Sequence, residues 1–379
     1  METIKLFYTD SHCKEFTAKV LACEETDKGF SVVLDATAFY PEGGGQACDL
    51  GTLGGANVLD VREKEGVIHH LCDKKLAVGE AVEGRIDWDR RFSLMQQHSG
   101  EHIVSGIIHS TYGWHNVGFH MGSQLMTIDF DGPIPADDLA TIERKANEAV
   151  WANLPVRTWY PEPEVLPTVR YRSKKALPWP VRIVELPGVD NCACCGTHVK
   201  QTGEIGMIKL VSCIKFHAGV RIEMACGSNA LALTDAVFAQ NRLVSHAFSA
   251  KMLETGAAAA KMNDALAAEK LRANTLQSQL FDRIAAGFAG QVNVCHFADD
   301  LVPGQVRELA DKIADHCSGW AAVLSGADGN WSICIVSRSA DVKVVGNALG
   351  ARGGGKPGFF QGSLRASRAE IEEKLQELR

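Results

Sequence analysis

The sequence has no long uninterrupted run of apolar residues and no excess of positive charge. No apolar stretch reaches the roughly 18 residues that a membrane-spanning helix needs, and the opening Met-Glu-Thr-Ile-Lys-Leu lacks the apolar core of a secretory signal. We therefore expect a cytoplasmic protein that does not enter a membrane. The formal net charge of −7 argues against nucleic-acid binding through overall attraction, although it leaves room for a local basic patch.

Paired cysteine spacing is also absent. The 12 cysteines are scattered along 379 residues, and only Cys192, Cys194 and Cys195 cluster. This distribution does not predict a disulfide framework. In a reducing compartment, clustered thiols are more often metal ligands or catalytic groups.

A pair of histidines stands within a predicted helix. Apolar residues recur at helical spacing over 92–107, where Asp89 can cap the start and Gly113 can end the helix. Residues four apart leave the same face of a helix one turn apart, so His98 and His102 have the spacing of metal ligands. By itself such a pair is weak evidence, because ordinary helix surfaces carry it too.

A second half-site follows in the run Cys-Cys-Gly-Thr-His at 194–198, which has the C-x-x-x-H form and contains Cys194 and His198. The two half-sites together offer imidazole and thiolate groups. These are the borderline-soft ligands that zinc prefers. The sequence therefore predicts a zinc site.

The first 86 residues carry short runs of alternating or β-branched residues, separated by turns that contain Gly or Asp. This pattern predicts a small antiparallel β-barrel. Within it, the consecutive Gly43, Gly44 and Gly45 allow close backbone approach that other residues forbid, and Gln46 follows them. Two interpretations are open: a tight hairpin turn, or a loop laid against a ligand with the Gln46 amide as donor and acceptor.

The rest of the chain divides into three parts. Residues 87–228 alternate between helical and strand patterns, as an α+β domain does. Residues 229–286 form an alanine-rich helical stretch, a spacer or dimerisation helix that Gly256 is expected to divide. Residues 287–379 mix strands and helices again and predict a C-terminal α/β domain. The fold class expected for the whole chain is α+β.

Two basic segments are candidates for phosphate contacts. The first, residues 170–182, contains no acidic residue. Most such runs are solvated surface, but four of its residues are candidate tRNA ligands: Arg170, Arg172, Lys174 and Lys175. The second, 350–362, places Arg352 and Lys356 among glycines that could present backbone N–H groups to phosphate. It is not a P-loop, because Pro follows its Gly-Lys pair.

With both half-sites in view, the sequence resembles the free-standing alanyl-tRNA editing proteins, the AlaX family in its long form, over nearly the whole chain. Five segments in the same order carry the resemblance: 42–46, 98–102, 194–206, 219–223 and 350–362. The last resembles a C-terminal domain shared with alanyl-tRNA synthetase. One departure is that three thiols compete for one ligand position. The C-x-x-x-H register selects Cys194, and Cys195 stands where the family commonly has glycine.

The resemblance implies an enzyme that acts in trans and hydrolyses the ester between tRNA for alanine and a wrongly attached serine, or glycine. It implies a zinc ion held by His98, His102, Cys194 and His198. Gln46 and His120, the latter within the segment 114–122, are candidates for contacts with the misplaced amino acid. The helical spacer or the C-terminal domain is the candidate surface for a homodimer.

The role of the metal stays open at this point. Four protein ligands would close a tetrahedral shell, which is typical of structural zinc, whereas catalysis needs an open position. Besides His98 and His102, Glu101 is a candidate catalytic residue as an acid or base, or a supporting neighbour of the site. Two other classes of function are a zinc peptidase of the H-x-x-E-H type, with Glu101 as base, and a zinc-stabilised RNA-binding adaptor without catalysis.

Overall fold

The computed structural model describes residues 2–122, 124–173 and 177–377. It mixes helices and strands in several sheets, which confirms the α+β class. The chain forms two compact units, Met1–Leu243 and Val244–Arg379. Among the described residues, no helix combines the length and the apolar character required to cross a membrane.

The first part of the first unit is a barrel. Its elements in chain order are β1 (Ile4–Lys5), α1 (Leu6–Thr9), β2 (Glu15–Thr26), β3 (Gly29–Leu34), β4 (Ala36–Thr37), β5 (Gly51–Leu53), β6 (Ala56–Lys64), β7 (Val67–Cys72) and β8 (Ala81–Ile86). Six strands close in the order β2-β3-β7-β6-β5-β8, and each neighbouring pair is antiparallel. Burial alternates strictly along β8, because successive side chains of a strand point to opposite faces.

The second part of this unit is built around one long helix. Its elements are α2 (Trp88–Tyr112), β9 (Asn116–Met121), β10 (Met126–Phe130), α3 (Leu139–Trp151), β11 (Arg157–Trp159), β12 (Ile183–Leu186), β13 (Asp190–Ala193), β14 (Ile208–Phe216), β15 (Gly219–Cys226) and α4 (Gly227–Phe248). One antiparallel sheet has the order β14-β15-β10-β9, and a second has the order β11-β12-β13.

Helix α2 is capped at both ends by its own sequence. The side chain of Asp87 accepts a hydrogen bond from the backbone of Arg90, so Asp87 is the N-cap and the expectation of Asp89 was wrong by two residues. Gly113 ends the helix as predicted, with a left-handed φ of 78° that glycine adopts without steric cost. Every residue over 94–106 is buried, so the helix lies inside the unit rather than on its surface.

A buried ion pair fixes α2 to the barrel. Arg91 and Asp49 are both fully buried, and the guanidinium of Arg91 binds the carboxylate of Asp49 through two nitrogens. Its other donors go to the backbone carbonyls of Ser11 and Ala38. Because every charged group is paired, burial of the pair does not leave a bare charge.

The second unit contains α5 (Thr255–Ala286), β16 (Val294–Ala298), α6 (Pro303–Ala314), β17 (Trp320–Ala327), β18 (Asn330–Ser337), α7 (Lys343–Leu349), β19 (Arg352–Lys356), β20 (Phe359–Leu364) and α8 (Arg368–Glu377). Its sheet has the order β16-β17-β18-β20-β19. The break in the helical stretch lies before Gly256, because α4 ends at Phe248 and Ser249 has a left-handed φ of 49°. Gly256 itself is helical.

The glycine-rich segment 350–362 was expected to be a phosphate-binding loop, but most of it is a hairpin. Strand β19 pairs with β20 in antiparallel register at the edge of the sheet. A Cβ on Gly353 would lie 2.2 Å from a carbonyl oxygen of β20, and one on Gly355 would lie 2.0 Å from another. The glycines therefore permit close strand packing. Arg352 and Lys356 are exposed at the two ends of the edge strand.

Candidate metal centre

The structure brings the two half-sites together in the interior of the first unit. His98 and His102 project from α2, and Cys194 and His198 come from the segment between β13 and the short turn Thr202–Ile205. One ligand atom from each of the four lies within 4.8 Å of those of the other three, and Cys194 Sγ is 3.4 Å from His98 Nε2. Such a group of nitrogen and sulfur atoms could hold a metal ion.

A second polar group fixes the ring of each histidine. His98 Nδ1 donates to the amide oxygen of Gln46 at 2.9 Å, and His102 Nδ1 donates to the carboxylate of Asp190 at 3.1 Å. Since these nitrogens carry the protons, the Nε2 atoms of both rings keep their lone pairs for a metal. His198 Nδ1 lies 3.2 Å from the hydroxyl of Ser99.

The three neighbouring thiols differ in charge. Burial alone would raise the pKa of the Cys194 thiol, but the electrostatic effect of the surrounding histidine rings, His98 foremost, holds it well below its usual range. Burial raises the pKa of Cys192 to about 11. Cys194 is therefore the thiolate of the cluster near neutral pH, and the thiolate is the form that binds metals. Cys195 is exposed.

His198 carries the observation that tests the fit of a metal. Its side chain is 2% exposed, and Nε2 is buried without a hydrogen-bond partner among the described residues. Burial, together with the electrostatic effect of the neighbouring His98 ring, lowers the pKa of His198 to about 3, so the His198 ring stays neutral. A buried imidazole nitrogen with a free lone pair is costly unless something binds it. The donor set therefore fits a metal such as zinc.

Gln46 supports this centre from the barrel. The side chain is 1% exposed; its amide oxygen accepts from His98 and from the backbone N–H of Thr197 at 3.1 Å, and its amide nitrogen donates to the Thr197 hydroxyl at 2.8 Å. The expectation that Gln46 turns its amide toward a ligand therefore differs from the structure. The side chain joins α2 to the segment that carries Cys194.

The glycines before Gln46 form a tight turn and also line a cavity, so both interpretations of the glycine run apply. Backbone hydrogen bonds in both directions between Gly43 and Gln46 close a tight turn. Gly44 and Gly45 also line a cavity of about 440 Å³, and a Cβ on Gly45 would lie 2.7 Å from the ring of Phe119. The turn thus contributes bare backbone to the wall of the cavity.

The cavity reaches the four-residue group from one side. Among its lining residues are His98, His102 and Cys194, together with Glu101. His198 does not line it. His120 is exposed on β9 and is also not among the lining residues, whereas its neighbour Phe119 is. A ligand in the cavity can therefore reach a metal held by this group.

Asp190 is a site residue that sequence reasoning missed. Its carboxylate accepts two hydrogen bonds of 2.7 Å from Arg172 in addition to the one from His102. Burial would raise the pKa of Asp190, but the bonds from Arg172 and His102 hold it below the usual range, so the carboxylate stays ionised. Asp190 and Cys192 form another potential ligand group with His102, but Arg172 already occupies Asp190.

The basic run is divided between two environments. Arg170 is exposed, whereas Arg172 is mostly buried with its guanidinium on Asp190, so the structure gives it a supporting position rather than a free surface. Lys174 and Lys175 lie outside the described residues. Arg182, at the end of the run, donates to the carbonyls of Cys194 and Gly196 at 2.8 and 3.0 Å. It thereby holds the turn that presents the thiolate.

We expect Asp190→Asn to weaken zinc binding about 10- to 100-fold, because supporting partners of metal ligands typically contribute that much. Loss of the charge opposite the buried Arg172 should also cost about 3 to 5 kcal/mol of unfolding free energy. Zinc titration against a competing chelator and denaturant unfolding measure the two effects. Asp131→Asn is the matched control, because Asp131 pairs with His115 on the surface. Unchanged zinc affinity in Asp190→Asn would contradict an orienting role.

Comparison with known proteins shows which sequences this chain is similar to. Residues 3–90 match the family "tRNA synthetases class II (A)", and residues 181–223 match "Threonyl and Alanyl tRNA synthetase second additional domain". The chain is 29% identical to "Alanyl-tRNA editing protein Aarsd1" of Mus musculus, over 97% of this chain and 96% of that relative. It is 32% identical to "Alanyl-tRNA editing protein AlaX-L" of Pyrococcus horikoshii, over 60% of this chain and 59% of that relative. The chain is thus similar to alanyl-tRNA editing proteins over nearly its whole length.

The chain is also similar to part of a larger enzyme. The chain is 32% identical to "Alanine--tRNA ligase" of Halorubrum lacusprofundi, over 95% of this chain but only 42% of that relative. The match to the second additional domain spans Cys194 and His198, and the class II match spans the glycine turn. His98 and His102 lie between the two matched segments. The two matched segments therefore flank the helix that carries these histidines.

Proposed function

We propose that this protein is a trans-acting hydrolase that removes serine foremost, and glycine as a second substrate, from mischarged tRNA for alanine, with zinc as its cofactor. Similarity to two proteins named as alanyl-tRNA editing proteins supports an aminoacyl-tRNA deacylase. The single structural observation that carries the proposal is a convergent His98, His102, Cys194 and His198 group that borders a cavity.

The need for such an activity follows from the energetics of recognition. A pocket that selects alanine rejects an amino acid differing by one small group by only about 1 to 3 kcal/mol, which is too little for accurate translation. A second site can discriminate by another criterion, for example by hydrogen-bonding a hydroxyl that alanine lacks. Correctly charged tRNA would leave those polar groups unpaired and would be spared.

The position of the cavity favours a catalytic or substrate-positioning metal over a purely structural one. Three of the four ligands border the cavity, so the group is open on that side. Bound there, zinc would supply a Lewis acid and would lower the pKa of water at an open position toward about 7. Gln46 and Asp190 keep His98 and His102 in the tautomer and orientation that ligation requires.

Binding of the tRNA backbone is the role we propose for exposed basic residues. Arg170 in the first unit and Arg352 and Lys356 on the edge strand of the second are exposed, and phosphate contacts need reachable cations. The glycine hairpin therefore offers two surface charges rather than a cradle of N–H groups. A homodimer is a separate proposal, in which the exposed Leu266 and Leu276 of α5 would contribute apolar surface to the interface. The salt dependence of tRNA binding is the measurement that bears on the basic residues.

Hydrolysis of aminoacyl-tRNA tests the proposed function. We expect the purified protein to release serine from Ser-tRNA for alanine at least about tenfold faster than alanine from the cognate Ala-tRNA, in line with polar-contact discrimination. Removal of zinc with a chelator should abolish release, and added zinc should restore it. Binding of tRNA without hydrolysis of any mischarged form would instead favour the RNA-binding adaptor.

A further inference from the structure

The carboxylate of Glu101 stands at the wall of the cavity with one side occupied and one side open. Its Oε1 accepts hydrogen bonds from the Ser105 hydroxyl at 2.5 Å and from the Asn116 amide nitrogen at 2.6 Å. Its Oε2 lies 3.8 Å from His102 Nε2, the ring nitrogen that faces the metal group. Glu101 is thus oriented by two neutral donors, and Oε2 lies next to the group formed by His98, His102, Cys194 and His198.

Asn116 adds a second acceptor next to this carboxylate. Asn116 is 6% exposed and lines the cavity, and its amide nitrogen is used on Glu101 and Ser105. The amide oxygen is buried and has no hydrogen-bond partner within the described parts of the chain. A buried amide oxygen without a donor is rare in folded proteins and calls for a missing partner.

The surroundings of Glu101 indicate what kind of group could bind next to Asn116. The side chain is almost completely buried, and the groups that donate to it, Ser105 and Asn116, are neutral. The nearby guanidinium of Arg172 is hydrogen-bonded to Asp190 instead. A buried carboxylate is costly unless it is both paired and hydrogen-bonded, and a metal held at His102 Nε2, 3.8 Å from Oε2, would supply charge but no hydrogen-bond donor.

We propose that Glu101 and Asn116 form a subsite for the free α-ammonium group of the aminoacyl residue. This inference rests on the proposed function and names a substrate class for it: aminoacyl-tRNA with an unmodified amino group. An ammonium supplies a positive charge and three N–H donors, which suits a carboxylate oxygen and an amide oxygen side by side. A serine hydroxyl has one donor and no charge, so it cannot satisfy both acceptors.

The subsite should discriminate between aminoacyl-tRNA with a free amino group and aminoacyl-tRNA with an acylated one. The α-amino group of an aminoacyl ester takes up a proton near neutral pH, whereas an N-acylated amino acid is neutral and has one N–H. Such a substrate would leave the acceptors of Glu101 and Asn116 under-used and would add a bulky acyl group at a buried wall. The protein should therefore act on aminoacyl-tRNA and discriminate against N-acylaminoacyl-tRNA.

The decisive experiment compares Ser-tRNA for alanine with the same tRNA acetylated on the serine amino group. We expect the wild type to favour the free amine at least about tenfold in kcat/KM, the range of a lost charge-assisted hydrogen bond. Glu101→Gln keeps the acceptor for Ser105 and Asn116 but turns the cavity-facing oxygen into a donor. Its kcat/KM for the substrate with the free amine should fall about 10- to 100-fold, mainly through a higher KM, and its kcat/KM for the acetylated substrate should change little. Asn116→Ala should shift selectivity in the same direction by less.

Glu148→Gln is the matched control, because it makes the same substitution at an exposed carboxylate that pairs with Arg144 and does not line the cavity. It should affect both substrates equally, and all variants should retain zinc. An equal loss on both substrates in Glu101→Gln would overturn the subsite and would make Glu101 a general base or a support of the centre. Wild-type indifference to acetylation would overturn it as well.

A binding readout keeps this test separate from the test of hydrolysis. Adenosine carrying serine through a 3′-amide bond cannot be deacylated and should bind the wild type at least about tenfold more tightly than Glu101→Gln, again the value of one charged contact. Its N-acetyl form should bind both proteins alike. If no aminoacyl-tRNA is hydrolysed, the proposed function fails, and this binding difference still decides the subsite.

Discussion

Cys194→Ser is expected to lose bound zinc and to lower Ser-tRNA deacylation by at least about 100-fold, more than loss of a supporting contact would. The structure puts this sulfur 3.4 Å from His98 Nε2, and the pKa of its thiol is held well below the usual range despite burial. Serine is similar in size but does not ionise near neutral pH, so a neutral hydroxyl would replace a soft anionic ligand.

The neighbouring Cys195 provides the matched control. Cys195 is exposed and is not one of the four convergent residues, in contrast to Cys194. Cys195→Gly should keep zinc stoichiometry and deacylation within about twofold of the wild type, as surface substitutions usually do. Elemental analysis and Ser-tRNA hydrolysis measure both. Equal losses in the two variants would mean that the C-x-x-x-H register selected the wrong sulfur.

Gly196→Ala should damage the centre although it adds only one methyl group. A Cβ at this position would lie 2.1 Å from His98 Cε1 and 2.4 Å from His98 Nδ1, and 3.0 Å from the amide oxygen of Gln46. Real Cβ atoms do not approach so closely, so the imidazole or the turn must move. Such overpacking costs about 1 to 3 kcal/mol of unfolding free energy. Displacement of His98 should also lower zinc affinity and deacylation by at least about tenfold.

Gly256→Ala is the control for this substitution. Gly256 is helical, and a Cβ there would meet nothing within 4 Å, so alanine should be tolerated or slightly stabilising. Thermal unfolding with and without zinc, together with zinc titration, separates a loss of metal from a loss of fold. Wild-type zinc affinity in Gly196→Ala would show that the turn relaxes without moving His98.

Local regularities made the central helix and part of the site predictable. The helical period placed His98 and His102 on one face, and Gly113 was the expected end because glycine tolerates the left-handed cap. Alternating patterns indicated strands in the first 86 residues, where six strands close into a barrel. The cap was misplaced from Asp87 to Asp89, because a capping side chain depends on local hydrogen-bond geometry that composition does not show.

The glycine-rich segment near the C-terminus illustrates an ambiguity that sequence could not resolve. Glycines suit both a phosphate loop and strands that approach closely, since both exploit the missing Cβ. Pairing of β19 with β20 decides in favour of the hairpin, and this pairing depends on the sheet already formed by β18. The exposed Arg352 and Lys356 keep their charge in either conformation.

By itself the sequence determined which four residues have ligand chemistry and ligand spacing, because a helix period and a C-x-x-x-H run are local properties. Only the tertiary structure decided which other side chains orient these four residues. Gln46 and Asp190 contact His98 and His102 across 52 and 88 positions of the chain, and Ser99 meets His198 across 99. Contacts at such separations leave no periodicity in the sequence. They arise when the barrel turn, the helix and β13 pack together, and the histidines brought around Cys194 then favour its thiolate in spite of burial.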